Sequence, residues 1–271
     1  MAVSGSERTP TTARLRREPP RFRQVAVRAV ENVGPRLIGV TLGGPDLHGF
    51  TVHQPAASVR LLLPSPPGHE LVMPTWNGNE FLLADGRRPT IRTFTPRRVD
   101  PEALELDVEI VVHGEGAASA WAQAAQPGDR AAVSGPGRGY SVAPDAPAFL
   151  LAGDETAIPA ISQLMEVLPT EVPVQVRIEV AHPEGRVAMP DHRRAAVEWC
   201  DLAPGGRPGD ALVATVGSAD LADGGRVWVA GEAAAVQRIR RHLFEDRGLS
   251  RAQATVRGYW KHGRSGDSVD G

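Results

Sequence analysis

Residues 148–169 read AFLLAGDETAIPAISQLMEVLP. The first six form an apolar run of strand length. Beyond Gly153 the spacing changes, and Ile158, Ile161, Leu164, Met165 and Leu168 recur at helical intervals. A buried strand running straight into an amphipathic helix opens a βαβ unit, and the chain beyond it continues the alternation. VPVQVRIEVA (172–181) reads as the next strand, and HRRAAVEWCDL (192–202) as a helix that carries Cys200. ALVATV (211–216) reads as a short strand or sheet edge, and RVWVAG (226–231) as a buried strand. EAAAVQRIRRHLFEDRG (232–248) is an amphipathic helix stopped by Gly248, and ATVRGYW (254–260) is a closing strand. The expectation is a parallel sheet with helices, of the kind that receives nucleotides beyond the carboxyl ends of its strands.

Upstream the period is two. RQVAVRAVENV (23–33) and RLIGVTLGG (36–44) alternate on either side of Gly34-Pro35. SVRLLLP (58–64) is a short buried strand, and ELDVEIVVH (105–113) puts Leu106, Val108, Ile110 and Val112 on one face. Short strands separated by Gly and Pro turns suggest a small β-barrel. One Ala-rich segment, GAASAWAQAAQPG (116–128), reads as a short helix stopped by Pro127-Gly128. The boundary between the two parts is expected near Ala143–Pro147, where Pro and Ala cluster.

The whole chain has 271 residues, 41% hydrophobic and 23% charged, which suits one or two globular domains with a substantial core. A net charge of -2 argues against nucleic acid or anionic membrane as a partner. One cysteine excludes an internal disulfide framework, a four-thiolate iron–sulfur cluster and a Cys-based structural zinc site. No spacing of His and carboxylates suggests a protein-bound metal, so redox chemistry would need an organic cofactor. Residues 1–20 are expected to be a disordered basic tail, and 265–271 a second tail. The N-terminus has arginine pairs without an apolar stretch after them, and no window approaches a membrane span. The expected location is therefore the cytoplasm.

Several segments carry candidate chemistry. In Arg92-Thr93-Phe94-Thr95-Pro96-Arg97-Arg98, residues i and i+2 of a strand share a side, so Arg92 and Phe94 can address one ligand with a guanidinium and a ring. Thr95 adds a short donor or acceptor. An exposed basic strand with one buried Phe fits the same residues. His113 to Ser119 is a Gly-rich strand-to-helix turn that offers backbone N–H groups to phosphate, or is simply a capped turn. GPGRGY (135–140) fails as a dinucleotide fingerprint because no helix follows it, and it reads as a loop of the β part. Asp154–Ala157 and Gly231-Glu232 each follow a strand and open a helix. Gly258–Arg264 sets Tyr259 and Trp260 beside Lys261, the only lysine of the chain, and Arg264: either a patch for a flat anionic ligand or a closing strand with a basic end.

Taken in order, RTFTPRR, HGEGAASAW, AGDETAIPAI, VAGEAAAVQRIRRHL and GYWKHGR resemble the siderophore-interacting proteins, flavin-dependent ferric-siderophore reductases of the ferredoxin–NADP reductase superfamily. The resemblance spans about Phe22 to Arg264. It implies a six-stranded antiparallel flavin-binding β-barrel over 21–145, then a parallel-sheet α/β NAD(P)H-binding domain over 146–264. It places Arg92, Thr93, Phe94 and Thr95 on FAD, Phe94 against the isoalloxazine and Thr95 near its N5, with Arg97 as a second flavin arginine. Phe94 stands where the family has Tyr and lacks the hydroxyl. His113, Gly116, Ala117, Ala118 and Ser119 align with the pyrophosphate loop, Ala117 replacing the family's Pro. Asp154, Thr156, Ala157, Gly231 and Glu232 fall where the nicotinamide nucleotide is received. Trp260, Lys261 and Arg264 fall where an anionic ferric siderophore is met, with Thr95 and Lys261 nearest the reaction.

A flavin suits such a reaction, because a nicotinamide gives two electrons as hydride and Fe(III) accepts one at a time. NADPH and NADH both stay open: His182 and Arg186 can meet a 2′-phosphate, whereas Glu184 opposes one. The chain is expected to act as a monomer. Two other functions fit the same sequence, a flavin reductase serving another acceptor or a partner oxygenase, and a non-enzymatic siderophore or flavin carrier. Replacing Arg92 by Ala should weaken FAD binding by about 1.5–3 kcal/mol, the usual size of a charged hydrogen bond. Full flavin occupancy in purified Arg92→Ala would show that this arginine does not hold the cofactor.

Overall fold

The computed structural model describes residues 20–113 and 116–263. Arg264 and nearly all of both expected tails lie outside these residues. The first part is a sheet built from β1 (Arg23–Gly34), β2 (Leu37–Gly43) and β3 (Val59–Leu63), a separate hairpin of β4 (Thr75–Trp76) and β5 (Phe81–Leu82), and then β6 (Thr90–Phe94), β7 (Pro96–Asp100) and β8 (Glu105–Val111). Helix α1 (Ala117–Ala124) and β9 (Arg130–Ser134) complete it. The second part runs β10 (Phe149–Asp154), α2 (Ile158–Val167), β11 (Val174–Val180), β12 (Ala195–Asp201), α3 (Asp210–Gly217), β13 (Arg226–Glu232), α4 (Ala233–Arg241) and β14 (Ala254–Trp260).

The first sheet has the order β6-β3-β9-β1-β2-β8-β7, with every pairing antiparallel. It has seven strands rather than six, because Thr95 divides RTFTPRR into two strands with different partners. β6 pairs with β3 and β7 with β8, so the two edges of the sheet are consecutive in the chain. In β8 the alternation holds, with Leu106, Val108 and Ile110 buried. In β1 it breaks. Val25 and Val27 are buried, but every residue from Arg28 to Val33 is exposed, Val30 and Val33 included, and the pairing with β2 shifts register between Val27 and Ala29 and again between Asn32 and Gly34. The GPGRGY loop packs flat on residues 54–58: a Cβ at Gly139 would lie 2.4 Å from the Gln54 Cβ. Its glycines serve that contact.

The second sheet is parallel, in the order β12-β11-β10-β13-β14. β10 is central and all six of its residues are buried, as a strand covered on both faces must be. Two expectations are overturned here. Ala195–Asp201 is strand β12, not a helix, paired in parallel with β11 from Val174↔Ala195 to Val180↔Asp201. Cys200 therefore lies on an edge strand, where partial burial pushes its thiol pKa up. Residues 211–216 lie in helix α3 rather than a strand. Gly209 precedes the helix at φ 87°, and the buried Glu179 carboxylate accepts from the N–H groups of Gly209 (2.6 Å) and Leu212 (2.8 Å). Leu212 and Val216, four apart, bury the inner face. Tertiary packing overrides the weak preference of β-branched residues for strands.

The two parts share a core. Leu37, Ala56 and Tyr140 of the first pack in one cluster with Ile158, Ile161 and Leu164 of α2. Polar ties reinforce the seam. Arg36 Nε donates to Glu155 Oε1 at 3.0 Å, Gln163 Nε2 to the Pro96 carbonyl at 2.7 Å, and Arg257 Nη2 to the Gly139 carbonyl at 2.6 Å. Arg97 donates to Glu166 at 3.0 Å and lies 3.6 Å from Glu109. Two clefts, of 290 and 260 Å³, flank this ion pair.

Glu109 is mostly withdrawn from solvent. Burial pushes its carboxyl up; Arg97 opposes the shift, and Glu31 and Glu166 add to it. A carboxyl with a raised folded pKa contributes stability below its unfolded pKa that is lost as pH rises through the folded one. Glu109→Gln removes this dependence. Thermal melts should therefore show the variant gaining on the wild type as pH rises from the ordinary glutamate range through the raised Glu109 pKa, and an unchanged difference would place Glu109 in solvent.

Candidate active site

The first half of the site lies on β6 and the turn after β8. Arg92 and Phe94 occupy alternate positions of the edge strand β6, opposite Leu61 and Val59 of β3. Both are half-buried, and Phe94 packs partly against the core of the first sheet. Thr93, between them, is exposed on the other side. Thr95 is only 7% exposed, and its side chain hydrogen-bonds the phenol of Tyr259 on β14. Burial raises the Tyr259 pKa and the Thr95 bond lowers it, with the net shift upward.

Arg97 departs from the expectation. The pairing of β7 with β8 slips between Pro96 and Arg98, leaving Arg97 as the bulged residue. A bulge re-aims its side chain, and here the guanidinium points to Glu166 and Glu109 on the seam. Arg97 thereby ties the two parts together.

His113 and Gly116 are exposed at the turn, and Ala117 and Ala118 are half-buried behind them. Ser119 is buried, and its hydroxyl closes the turn: Oγ accepts from the His113 N–H at 3.1 Å and lies 3.1 Å from the His113 carbonyl, to which it can donate. It is an internal strut. Helix α1 begins after Gly116, a residue with no side chain to occupy the first-turn amides. Those amides, left uncrowded by the methyl-sized Ala117 and Ala118, fit a dinucleotide phosphate, Arg92 on β6 offers a cation, and the Phe94 ring fits a planar heterocycle. FAD matches both features.

The second half lies at the carboxyl ends of β10, β13 and β14, where the strand order reverses direction around β10. Asp154 is buried there. Burial pushes its carboxyl up, against hydrogen bonds from Thr156, Trp260 and the Glu232 N–H. Thr156 is half-buried, with its hydroxyl on Asp154, and Ala157 is fully buried. Glu232 caps α4, accepting from the Ala235 N–H at 2.9 Å. Asp154, Ala157, Gly231 and Glu232 are all buried and shape the rim, and Thr156 is the partly exposed one of the five. Trp260 is half-buried and Lys261 exposed. Arg186 pairs with Asp201 at 2.6 and 2.7 Å, and the Glu184 N–H donates to His182 Nδ1 at 3.3 Å.

The halves meet where the His113 ring faces the Trp260 indole, with centroids 5.8 Å apart and planes at 32°. Arg36, Gln163 and Arg257, which tie the two parts together, stand in no recognisable motif. Only the tertiary contacts mark them. Among the described residues no group of three or more His, Cys, Asp or Glu could hold a metal, and no helix is long and apolar enough to cross a membrane.

An antiparallel sheet with a phosphate-type turn, joined to a parallel sheet with a nucleotide-type rim, defines a two-domain flavin and nicotinamide reductase architecture. Residues 26–140 match the siderophore-interacting FAD-binding domain and residues 146–263 the siderophore-interacting protein model, so the chain belongs to the siderophore-interacting protein family and FAD is its cofactor. The chain is 31% identical over 245 residues to the NADPH-dependent ferric-chelate reductase of Escherichia coli, covering 89% of this chain and 93% of that one. It is 28% identical over 237 residues to the ferric vibriobactin reductase of Vibrio cholerae, covering 86% and 87%. A crystal structure of a siderophore utilization protein from T. fusca superposes with a TM-score of 0.80 at 35% identity, covering 91% of this chain and 95% of that one.

Ser119→Ala leaves the His113 N–H without its acceptor. The variant should lose about 1–3 kcal/mol of stability and release FAD more readily on dilution. Calorimetry and flavin fluorescence check both, and unaltered FAD retention would separate this turn from the cofactor.

Proposed function

We propose that this protein is an NAD(P)H-dependent ferric-siderophore reductase that works through bound FAD and delivers Fe(II) in the cytoplasm. The observation that carries the reading is the meeting of the two half-sites at His113 and Trp260, which brings a flavin-type turn and a nicotinamide-type rim together. The printed names of the E. coli and V. cholerae relatives support a ferric chelate as acceptor. FAD supplies the conversion between a two-electron donor and one-electron acceptors, so one NAD(P)H reduces two ferric chelates and is released as NAD(P)+ and a proton.

The chain's own residues bind and orient. Arg92 and the amides at Ala117 and Ala118 hold the pyrophosphate, and Phe94 lies against the ring system. Gly231 and Thr156 receive the nicotinamide nucleotide. Thr95 stands at the reacting end with its hydroxyl fixed by Tyr259. Trp260, Lys261 and Arg264 present an aromatic face and positive charge to an anionic chelate. Either nucleotide fits the rim: Arg186 is engaged by Asp201, but an exposed pair of this kind yields readily.

A visible spectrum of the purified protein tests the proposal. The flavin bands near about 450 nm should bleach anaerobically with NADPH or NADH and return on addition of a ferric siderophore. Bleaching without recovery would move the acceptor elsewhere, to a partner oxygenase or another oxidant. Neutralising Lys261 and Arg264 together should raise KM for an anionic ferric chelate more than for a neutral one, with flavin content unchanged. An equal loss for both chelates would remove the electrostatic role.

A further inference from the structure

Asp154 ends the central strand β10, and its carboxylate is taken up by donors from the protein. Oδ1 accepts from the Thr156 N–H at 2.9 Å and from the Thr156 hydroxyl. Oδ2 accepts from the Glu232 N–H at 2.8 Å and from Trp260 Nε1 at 2.8 Å. Gly231 permits this approach: its φ is 155°, and a Cβ there would lie 2.6 Å from Oδ2. One buried carboxylate thus ties the ends of β10, β13 and β14.

Three of these bonds stay within the rim. The fourth reaches Trp260, whose indole faces His113 on the other half-site. The segment after Trp260 is fixed to the same rim, since the His262 N–H donates to Glu232 Oε1 at 3.2 Å and the His262 ring stands edge-on to the indole. Trp260 therefore stands where the two halves touch, and its one polar atom is anchored to Asp154.

We propose that Asp154 is a positioning residue: its Oδ2 holds the Trp260 indole against His113, and the held indole sets how a nicotinamide nucleotide docks toward the flavin-binding half. This rests on the reading of the chain as an NAD(P)H-dependent reductase. Asp154 touches neither nucleotide nor chelate and acts through Trp260.

The test uses the FAD-loaded protein with NADP+ and NAD+ as probes. Trp260→Phe keeps an aromatic ring while removing the N–H donor and part of the ring area, so its effect is read against Asp154→Asn, which leaves the indole intact. Asp154→Asn keeps the shape and puts an amide where two pairs of donors converge. In 1H–15N spectra the Trp260 indole N–H, assigned by its absence in Trp260→Phe, should shift in Asp154→Asn. Each variant should weaken nucleotide binding about ten-fold or more, the effect of one lost hydrogen bond to a charged group. The double variant should be no weaker than the weaker single, and FAD content should stay at the wild-type level. If the wild type binds nucleotide and Trp260→Phe binds it equally well, Asp154 only staples the sheet and the proposal is overturned. The same conclusion follows if the two effects add. A wild type that binds neither nucleotide overturns both this inference and the reductase reading. Asp154→Asn can fail to fold without rescuing the proposal, because unchanged nucleotide binding in Trp260→Phe overturns it alone.

Discussion

Helix α2 has to satisfy two surfaces at once. It covers one face of the parallel sheet and, with the same short run of residues, seals that sheet against the antiparallel one. Seven of its ten residues are therefore buried, from Ile158 to Met165. Its few polar groups are engaged across the seam: Gln163 with Ala56 and Pro96, Glu166 with Arg97, and Glu155 just before it with Arg36. Burial of that much apolar surface, at about 25 cal/mol per Å², outweighs any single surface ion pair. The two half-sites hold their spacing because α2 packs in the one cluster to which both parts contribute residues.

The rim of the parallel sheet is organised by buried carboxylates. Asp154, Glu179 and Glu232 are all buried, and all accept backbone N–H groups at strand ends or helix starts. Such positions collect unpaired donors, since the first N–H groups of a helix have no partner within it. A buried carboxylate without those donors would be costly, and with them it stitches neighbouring strands together. The arrangement also separates the helix starts. Those of α3 and α4 are taken by Glu179 and Glu232, whereas α1 follows a glycine.

Much of this was legible along the chain. The alternation at Leu106, Val108 and Ile110 and the helical spacing from Ile158 to Leu168 each reflect burial decided by neighbours close in sequence. Legibility failed where partners are remote. Ala195–Asp201 has the composition of a helix, and it is a strand because β11 offers it a free edge. Residues 211–216 have the composition of a strand, and they are helical because Glu179, some thirty residues earlier, caps them and because Leu212 and Val216 find an apolar face four residues apart. Arg97 sits in a flavin-type motif, yet one bulge turns it onto Glu166.

The amino-acid order by itself determined the two-part design, the strand and helix periods, the phosphate-type turn at Gly116 and the family the chain belongs to. Each depends on local spacing, where side-chain direction follows from the backbone period. Only the tertiary structure decided that Thr95 meets Tyr259, that Arg97 leaves the flavin motif, and that Asp154 anchors Trp260 opposite His113. Those contacts join residues dozens of positions apart. Their geometry is set by how the two sheets pack on α2, and no local periodicity records it.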